Sequence, residues 1–173
     1  GDKEKYAFYH KRQLVQKILL NSLYGVLGLP AFRFYDVDNA TAVTTTGQTV
    51  IKSTADMANI KYNKELGNPD LDSNIYIDTD SVFFSAVPLM DKRFPNWKDE
   101  EQDTIAGYVN DIAEEMQDYL NDFYDIMSKK IFNVDVDKHR LEIKKEYVAK
   151  AGLWVAKKRY AQWIISDNGV PCD

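Results

Sequence analysis

Cysteine is almost missing from this sequence: Cys172, near the C-terminal edge, is the only one. Neither a disulfide framework nor a thiolate zinc cluster can be assembled within the chain, and a reducing compartment is expected. Glycine and proline are sparse, at eight and five, too few for a low-complexity linker. No stretch approaches the roughly 20 uninterrupted apolar residues that a membrane span needs. No leader of basic, apolar and small residues opens the chain, so a membrane-spanning or secreted protein is not expected. Histidine is nearly absent too. His10 and His139 have no second His or Cys at metal-ligand spacing and read as surface or packing residues. What is present is 173 residues, 45% apolar and 13% aromatic. That is enough for a sizeable core, in one domain or a piece of a larger protein, and argues against disorder.

The chain carries 22 basic and 27 acidic side chains, a balance of −5, but the two signs are segregated. Residues 1–17 hold five bases against two acids and residues 138–160 eight against two, while residues 91–137 hold thirteen acids against five bases. Mild overall acidity therefore leaves room for a nucleic-acid partner, because phosphate binding depends on local Lys and Arg clusters. A solvated mixture of charges gives the same pattern.

Apolar residues at Leu14, Val15, Ile18, Leu19 and Leu23 predict a helix over about 6–24 with one buried face, ended by Gly25, Gly28 and Pro30. A second helix is expected from a cap at Thr44, Thr45 or Thr46 to about Leu66, with Val50, Ile51, Met57, Ile60 and Leu66 apolar. Ile75–Ile77 and Val82–Phe84 read as two strands around an acidic turn. From about 103 to 131, Ile105, Val109, Ile112, Met116, Leu120 and Phe123 mark a long amphipathic helix. The acids from Asp99 to Asp125 are its wet face and not a calcium loop, which would need a central Gly. Residues 140–149 and 153–165 read as strands around Gly152. The fold class expected is α+β: a small antiparallel sheet bearing the acidic hairpin, packed against the long helices at 44–66 and 103–131.

Three constellations carry chemistry. In Tyr76-Ile77-Asp78-Thr79-Asp80-Ser81, a tight turn would keep two carboxylates near one point. Such a turn suits Mg²⁺, which takes one or two carboxylates plus substrate phosphates. An ordinary polar turn would look the same. Lys17, Asn21 and Tyr24, with Gln13 one turn earlier, share one helical stripe. There a Lys can neutralise phosphates, an Asn can hydrogen-bond phosphate or sugar, and a Tyr can offer a flat face to a base pair. A solvated helix face is the alternative. Lys157-Lys158-Arg159-Tyr160 lies in a strand-like run, where alternation would put Lys157 and Arg159 on one face and Lys158 and Tyr160 on the other. The cluster could grip a nucleic-acid backbone, or guard an edge strand against aggregation.

Arg12-Gln13, Lys17, Asn21-Ser22-Leu23-Tyr24-Gly25 and Gly28 resemble the fingers-helix motif B of family B DNA polymerases. YIDTDS at 76–81 resembles their palm motif C and KKRY at 157–160 their primer-contacting motif, in the family's order. The stretch from Arg33 to Gln48 is most similar to the T-even-type phage branch. Ile77 departs from the Gly that the family usually places before the first motif C Asp. The resemblance implies that residues 1–28 are the end of the fingers and 29–173 part of the palm. Motif A, the 3′–5′ exonuclease domain and the thumb have no counterpart here. The chain is thus expected to be cut from a larger enzyme or separately encoded, with Gly1 a scar of that cut.

By the same resemblance Asp80 is the principal catalytic metal ligand, Asp78 a second acid in a supporting electrostatic role, and Glu146 an acid near the metal. Lys17 and Asn21 would hold the incoming nucleotide's phosphates, and Tyr24 would pack beside the nascent base pair. Lys158 and Tyr160 would contact the primer end, with Lys157 and Arg159 in support. The function implied is template-dependent nucleotidyl transfer from dNTP to a primer 3′ end with two Mg²⁺ ions, inactive without the motif A half. The partners implied are primer–template DNA, dNTP, the missing polymerase portions and a sliding clamp, in the cytoplasm of a phage host. Two other readings stand beside it. One is a polymerase-derived module that binds primer–template DNA or assembles with protein without catalysis. The other is an unrelated α+β domain with Lys17, Asp80 and Lys158 on separate surfaces.

Overall fold

A computed structural model describes residues 2–172; Gly1, expected to be a scar, lies outside them. The chain divides into two compact units, Gly1–Thr49 and Val50–Asp173.

In the first unit, α1 (Asp2–Leu27) runs through the predicted fingers helix and beyond it at both ends. None of its described residues is buried: Leu14, Ile18, Leu19 and Leu23 of the expected core stripe are all exposed. The 3–4 spacing gave the helix correctly, but within this unit the stripe has no cover. The next helix, α2 (Val37–Leu66), starts seven residues before the expected cap. Asp36 caps it, accepting from the Asn39 backbone N–H at 2.9 Å and the Asn39 side-chain amide at 2.6 Å. Thr44 and Thr45, expected as caps, lie inside the helix and donate their hydroxyls to carbonyls three and four residues back.

In the second unit, α2 buries Ile51, Thr54, Ala55, Ala58 and Tyr62, while Ile60, expected to face the core, is 54% exposed. Ile51 was expected there, but Thr54, Ala55 and Ala58 between it and Tyr62 are small, which is why a search for large apolar side chains misses much of the stripe. Gly67, at φ 70°, ends α2; the N–H groups of Gly67 and Asn68 both return to the Asn63 carbonyl. Strands β1 (Asn74–Asp78) and β2 (Ser81–Phe84) form the expected antiparallel hairpin, with Asp78 opposite Ser81. After the short α3 (Val87–Arg93), α4 (Gln102–Lys130) buries Ile112, Met116, Leu120, Tyr124 and Met127. Tyr124 takes the place expected of Phe123, its hydroxyl 2.8 Å from that of Thr54. The core is built from Ala58, Tyr62, Leu89, Met90, Ile112, Met116 and Leu120, with Phe84 of β2 packed against it.

Arg93 ties these helices together through ion pairs with Glu65 and Glu115 at 2.6 and 2.8 Å. Its hydrogen bonds hold both carboxylates below their ordinary range.

The C-terminal strands depart furthest from expectation. Residues 140–146 are not in a sheet. The side chains of α4 satisfy their backbone instead: Asn121 exchanges two hydrogen bonds with Ile143, and Gln117 accepts from the Lys145 N–H. His139 is a packing residue, its ring nitrogens engaged with Asp125 and the Leu141 N–H. A separate three-stranded antiparallel sheet contains β3 (Tyr147–Ala156), β4 (Arg159–Asp167) and β5 (Val170–Pro171). The chain reverses at Lys157-Lys158 and not at Gly152, which sits mid-strand beneath the Trp154 ring, in space a Cβ would need. The architecture is α+β, with two small antiparallel sheets in place of the single one expected.

Candidate functional site

Asp78 closes β1 and Asp80 occupies the two-residue connection to β2. The connection is tight: the Asp80 N–H reaches the Asp78 carbonyl at 2.6 Å, and the Ser81 hydroxyl donates to the same carbonyl at 3.1 Å. Thr79 sits at φ 54°, a region that β-branched residues rarely adopt. Its hydroxyl donates to Asp78 Oδ1 at 3.0 Å. The departure from the family pattern, Ile77, pairs with Val82 in an ordinary ladder, so the two-residue turn forms without glycine.

The basic cluster forms the tip of the second hairpin. Ala156 pairs with Arg159, so Lys157 and Lys158 make the turn, and Lys158 adopts φ 61°. This corrects the expected strand alternation, since a reversal at 157–158 cannot place Lys157 with Arg159 and Lys158 with Tyr160 on opposite strand faces. Lys157, Lys158, Arg159 and Tyr160 are all exposed.

The two tips meet. Lys158 Nζ lies 3.4 Å from Asp78 Oδ1, and the Lys158 backbone N–H donates to the Tyr76 hydroxyl at 2.8 Å. Beneath this contact lie two cross-strand aromatic pairs, Tyr76 opposite Phe83 and Trp154 opposite Tyr160. Tyr160 packs on both Tyr76 and Phe83, with ring centroids 5.6 Å apart in each case, and Trp154 lies 6.1 Å from Phe83. Sequence reasoning named the charged residues but missed Tyr76, Phe83 and Trp154, which hold them together. Aromatic residues at matched registers of two hairpins were the available signal.

The remaining residues are placed as follows. Lys17, Asn21 and Tyr24 are exposed on α1 in the first unit. Glu146 is exposed just before β3, its carbonyl accepting from the Asn168 N–H at 2.6 Å. Asp80 is exposed, and among the described residues its carboxylate enters no ion pair. Among the described residues no three His, Cys, Asp or Glu side chains gather as a metal cluster, so Asp78, Asp80 and Glu146 do not form a three-acid cage. The donor chemistry still fits Mg²⁺, which binds through one or two carboxylates when phosphates complete its shell. No described helix is long and apolar enough to cross a membrane.

The sequence model for DNA polymerase family B matches residues 1–94. The chain is 34% identical over 162 residues to the DNA-directed DNA polymerase of Enterobacteria phage T4, an alignment covering 86% of this chain and 17% of that protein. It is 32% identical over 158 residues to the DNA-directed DNA polymerase of Escherichia phage RB69, again 86% of this chain and 17% of the relative. With the DNA polymerase alpha catalytic subunit of Mus musculus the identity is 27% over 157 residues, 91% of this chain and 8% of that subunit. The chain thus spans about a sixth of the length of the phage relatives it matches.

Proposed function

This chain belongs to DNA polymerase family B, and from that premise we propose that it is a portion of a DNA-directed DNA polymerase, supplying one carboxylate-bearing wall of the active site and part of the primer grip. The observation that carries the reading is the meeting of the two hairpin tips: a carboxylate with no ion pair among the described residues, at Asp80, stands on the same hairpin as Asp78, which touches Lys158 at 3.4 Å. The reaction would join a dNTP to a primer 3′ end under the direction of a template, in a cytoplasmic setting.

Phosphoryl transfer asks mainly for alignment and charge neutralisation. Two divalent cations, Mg²⁺ by chemistry, would neutralise charge on the attacking and leaving oxygens when bound. Asp80 would be their main ligand from this chain, with Asp78 in a supporting role and Glu146 nearby. Lys17 would neutralise the nucleotide's phosphates, Asn21 would hydrogen-bond them, and Tyr24 would pack against the new base pair. Lys158 and Tyr160 would hold the primer end, with Lys157 and Arg159 on its backbone. Residues 1–28 would be the end of the fingers and 29–173 part of the palm. With so sparse a ligand set, the isolated chain would be inactive until joined to the portion bearing the partner carboxylate. The exonuclease, the thumb and a sliding clamp complete the proposed partners.

Binding of the chain to a fluorescent primer–template duplex, followed by anisotropy across a salt series, tests the reading. Lys158→Gln should weaken binding and make the slope of log affinity against log salt shallower by about one. Equal affinity and an unchanged slope would remove the primer contact from the proposal.

A further inference from the structure

The Asp78 carboxylate is already committed. Its side chain is only 16% exposed, and Oδ1 takes a hydrogen bond from the Thr79 hydroxyl at 3.0 Å and pairs with the Lys158 ammonium at 3.4 Å. Lys158 is the solvent-facing partner, 64% exposed at its side chain. Its backbone is fixed by contrast: a turn residue at φ 61°, with its N–H held by the Tyr76 phenol and the Tyr76–Phe83–Tyr160 packing below. An anchored backbone with a solvent-facing ammonium can exchange one anion for another without refolding the turn.

We propose that Asp78 is a parking counter-ion for Lys158: it holds the ammonium in the DNA-free chain and competes with the primer phosphate for it. Tyr76 is the positioning residue that keeps the two tips in register. The inference rests on the polymerase reading above, since it takes a nucleic-acid phosphate as the competing anion. It separates the two acids of the hairpin by role. Asp80 offers an exposed carboxylate, without an ion pair among the described residues; Asp78 sets how readily the primer contact forms. Exchange of a half-exposed pair is cheap, because such pairs contribute little in water, and this favours a contact made and broken at each step along DNA.

The test is a double-mutant cycle on primer–template affinity, using the 173-residue chain at low salt. Asp78→Asn removes the competitor and should tighten binding about two- to fivefold, the range expected of a solvent-screened pair. In a Lys158→Gln background the same substitution should bring less than half of that gain. Asp80→Asn removes an equal charge two residues away and reports general repulsion; its effect should be the same with or without Lys158. An Asp78→Asn gain that survives intact in the Lys158→Gln background, or no gain at all, overturns the parking role while leaving the polymerase reading in place. No binding by the unsubstituted chain at low salt overturns the parking role and removes the primer contact from the polymerase reading as well. Tyr76→Phe, which keeps the ring and loses the hydroxyl, should weaken binding in the Lys158 background and have no effect once Lys158 is Gln. An equal loss in both would make Tyr76 a general structural residue and overturn its positioning role.

Discussion

In a polymerase made whole around residues 1–173, Asp80→Asn should lower single-nucleotide incorporation by about a thousandfold or more, with primer–template affinity changed by no more than about threefold. Asparagine preserves the shape of the side chain, and the turn itself is held by backbone groups and by the Ser81 hydroxyl, not by the Asp80 carboxylate. What is lost is one full negative charge at an exposed tip that no ion pair neutralises among the described residues. Charge stabilisation of this kind is worth several kcal/mol at a transferring phosphoryl group, and about 4 kcal/mol corresponds to a thousandfold. Rapid-quench kinetics at saturating dNTP gives the number. Incorporation within tenfold of the unsubstituted enzyme would refute the catalytic assignment and favour a module that binds primer–template DNA without chemistry.

Leu120→Ala should destabilise the chain by about 2–5 kcal/mol. Leu120 is 2% exposed, in the cluster that joins α2, α3 and α4. Truncation removes transfer energy and leaves a cavity that Tyr62, Met90 and Met116, each 1% exposed, have little room to fill. Ile126 lies on the same helix but is 53% exposed, so Ile126→Ala should fall within about 0.5–1 kcal/mol. Urea unfolding at constant slope separates the two. Equal effects would mean that α4 does not bury the face described here. The consequence for function is direct, since Phe84 of the acidic hairpin packs on this same cluster.

Much of the secondary structure was legible because it follows from periodicity. The 3–4 spacing of α1 and α4 and the short strand-like runs on either side of Asp78 and Asp80 gave their elements to within a few residues. The errors have local causes. Asp36, a stronger cap than any of the threonines, starts the helix a full two turns earlier. Alanine and threonine on α2 pack as core although neither reads as a large apolar residue. Residues 140–146 have strand-like composition, but Asn121 and Gln117 of α4, about twenty to thirty positions earlier, take the backbone bonds that a strand partner would have supplied.

At the site, the three motifs and their residue types could be read from sequence, and the family match over residues 1–94 spans the first two of them. The contact between Asp78 and Lys158 could not, because it spans eighty positions and depends on both hairpin registers. Nor could the turn at Lys157-Lys158, since glycine at 152 is the stronger turn signal and only the Trp154 ring above it explains its place mid-strand.

The central claim is that the acidic and basic tips present one surface at which a divalent cation, nucleotide and primer meet. Paramagnetic relaxation by Mn²⁺ tests it most directly, because broadening is seen even when the cation is only fractionally bound. With primer–template DNA and dNTP present, Mn²⁺ should broaden the amide signals of residues 78–81 and 157–160 together, and Asp80→Asn should abolish both. Broadening confined to the acidic face of α4, around Asp118 and Asp122, with residues 78–81 and 157–160 untouched, would contradict the account.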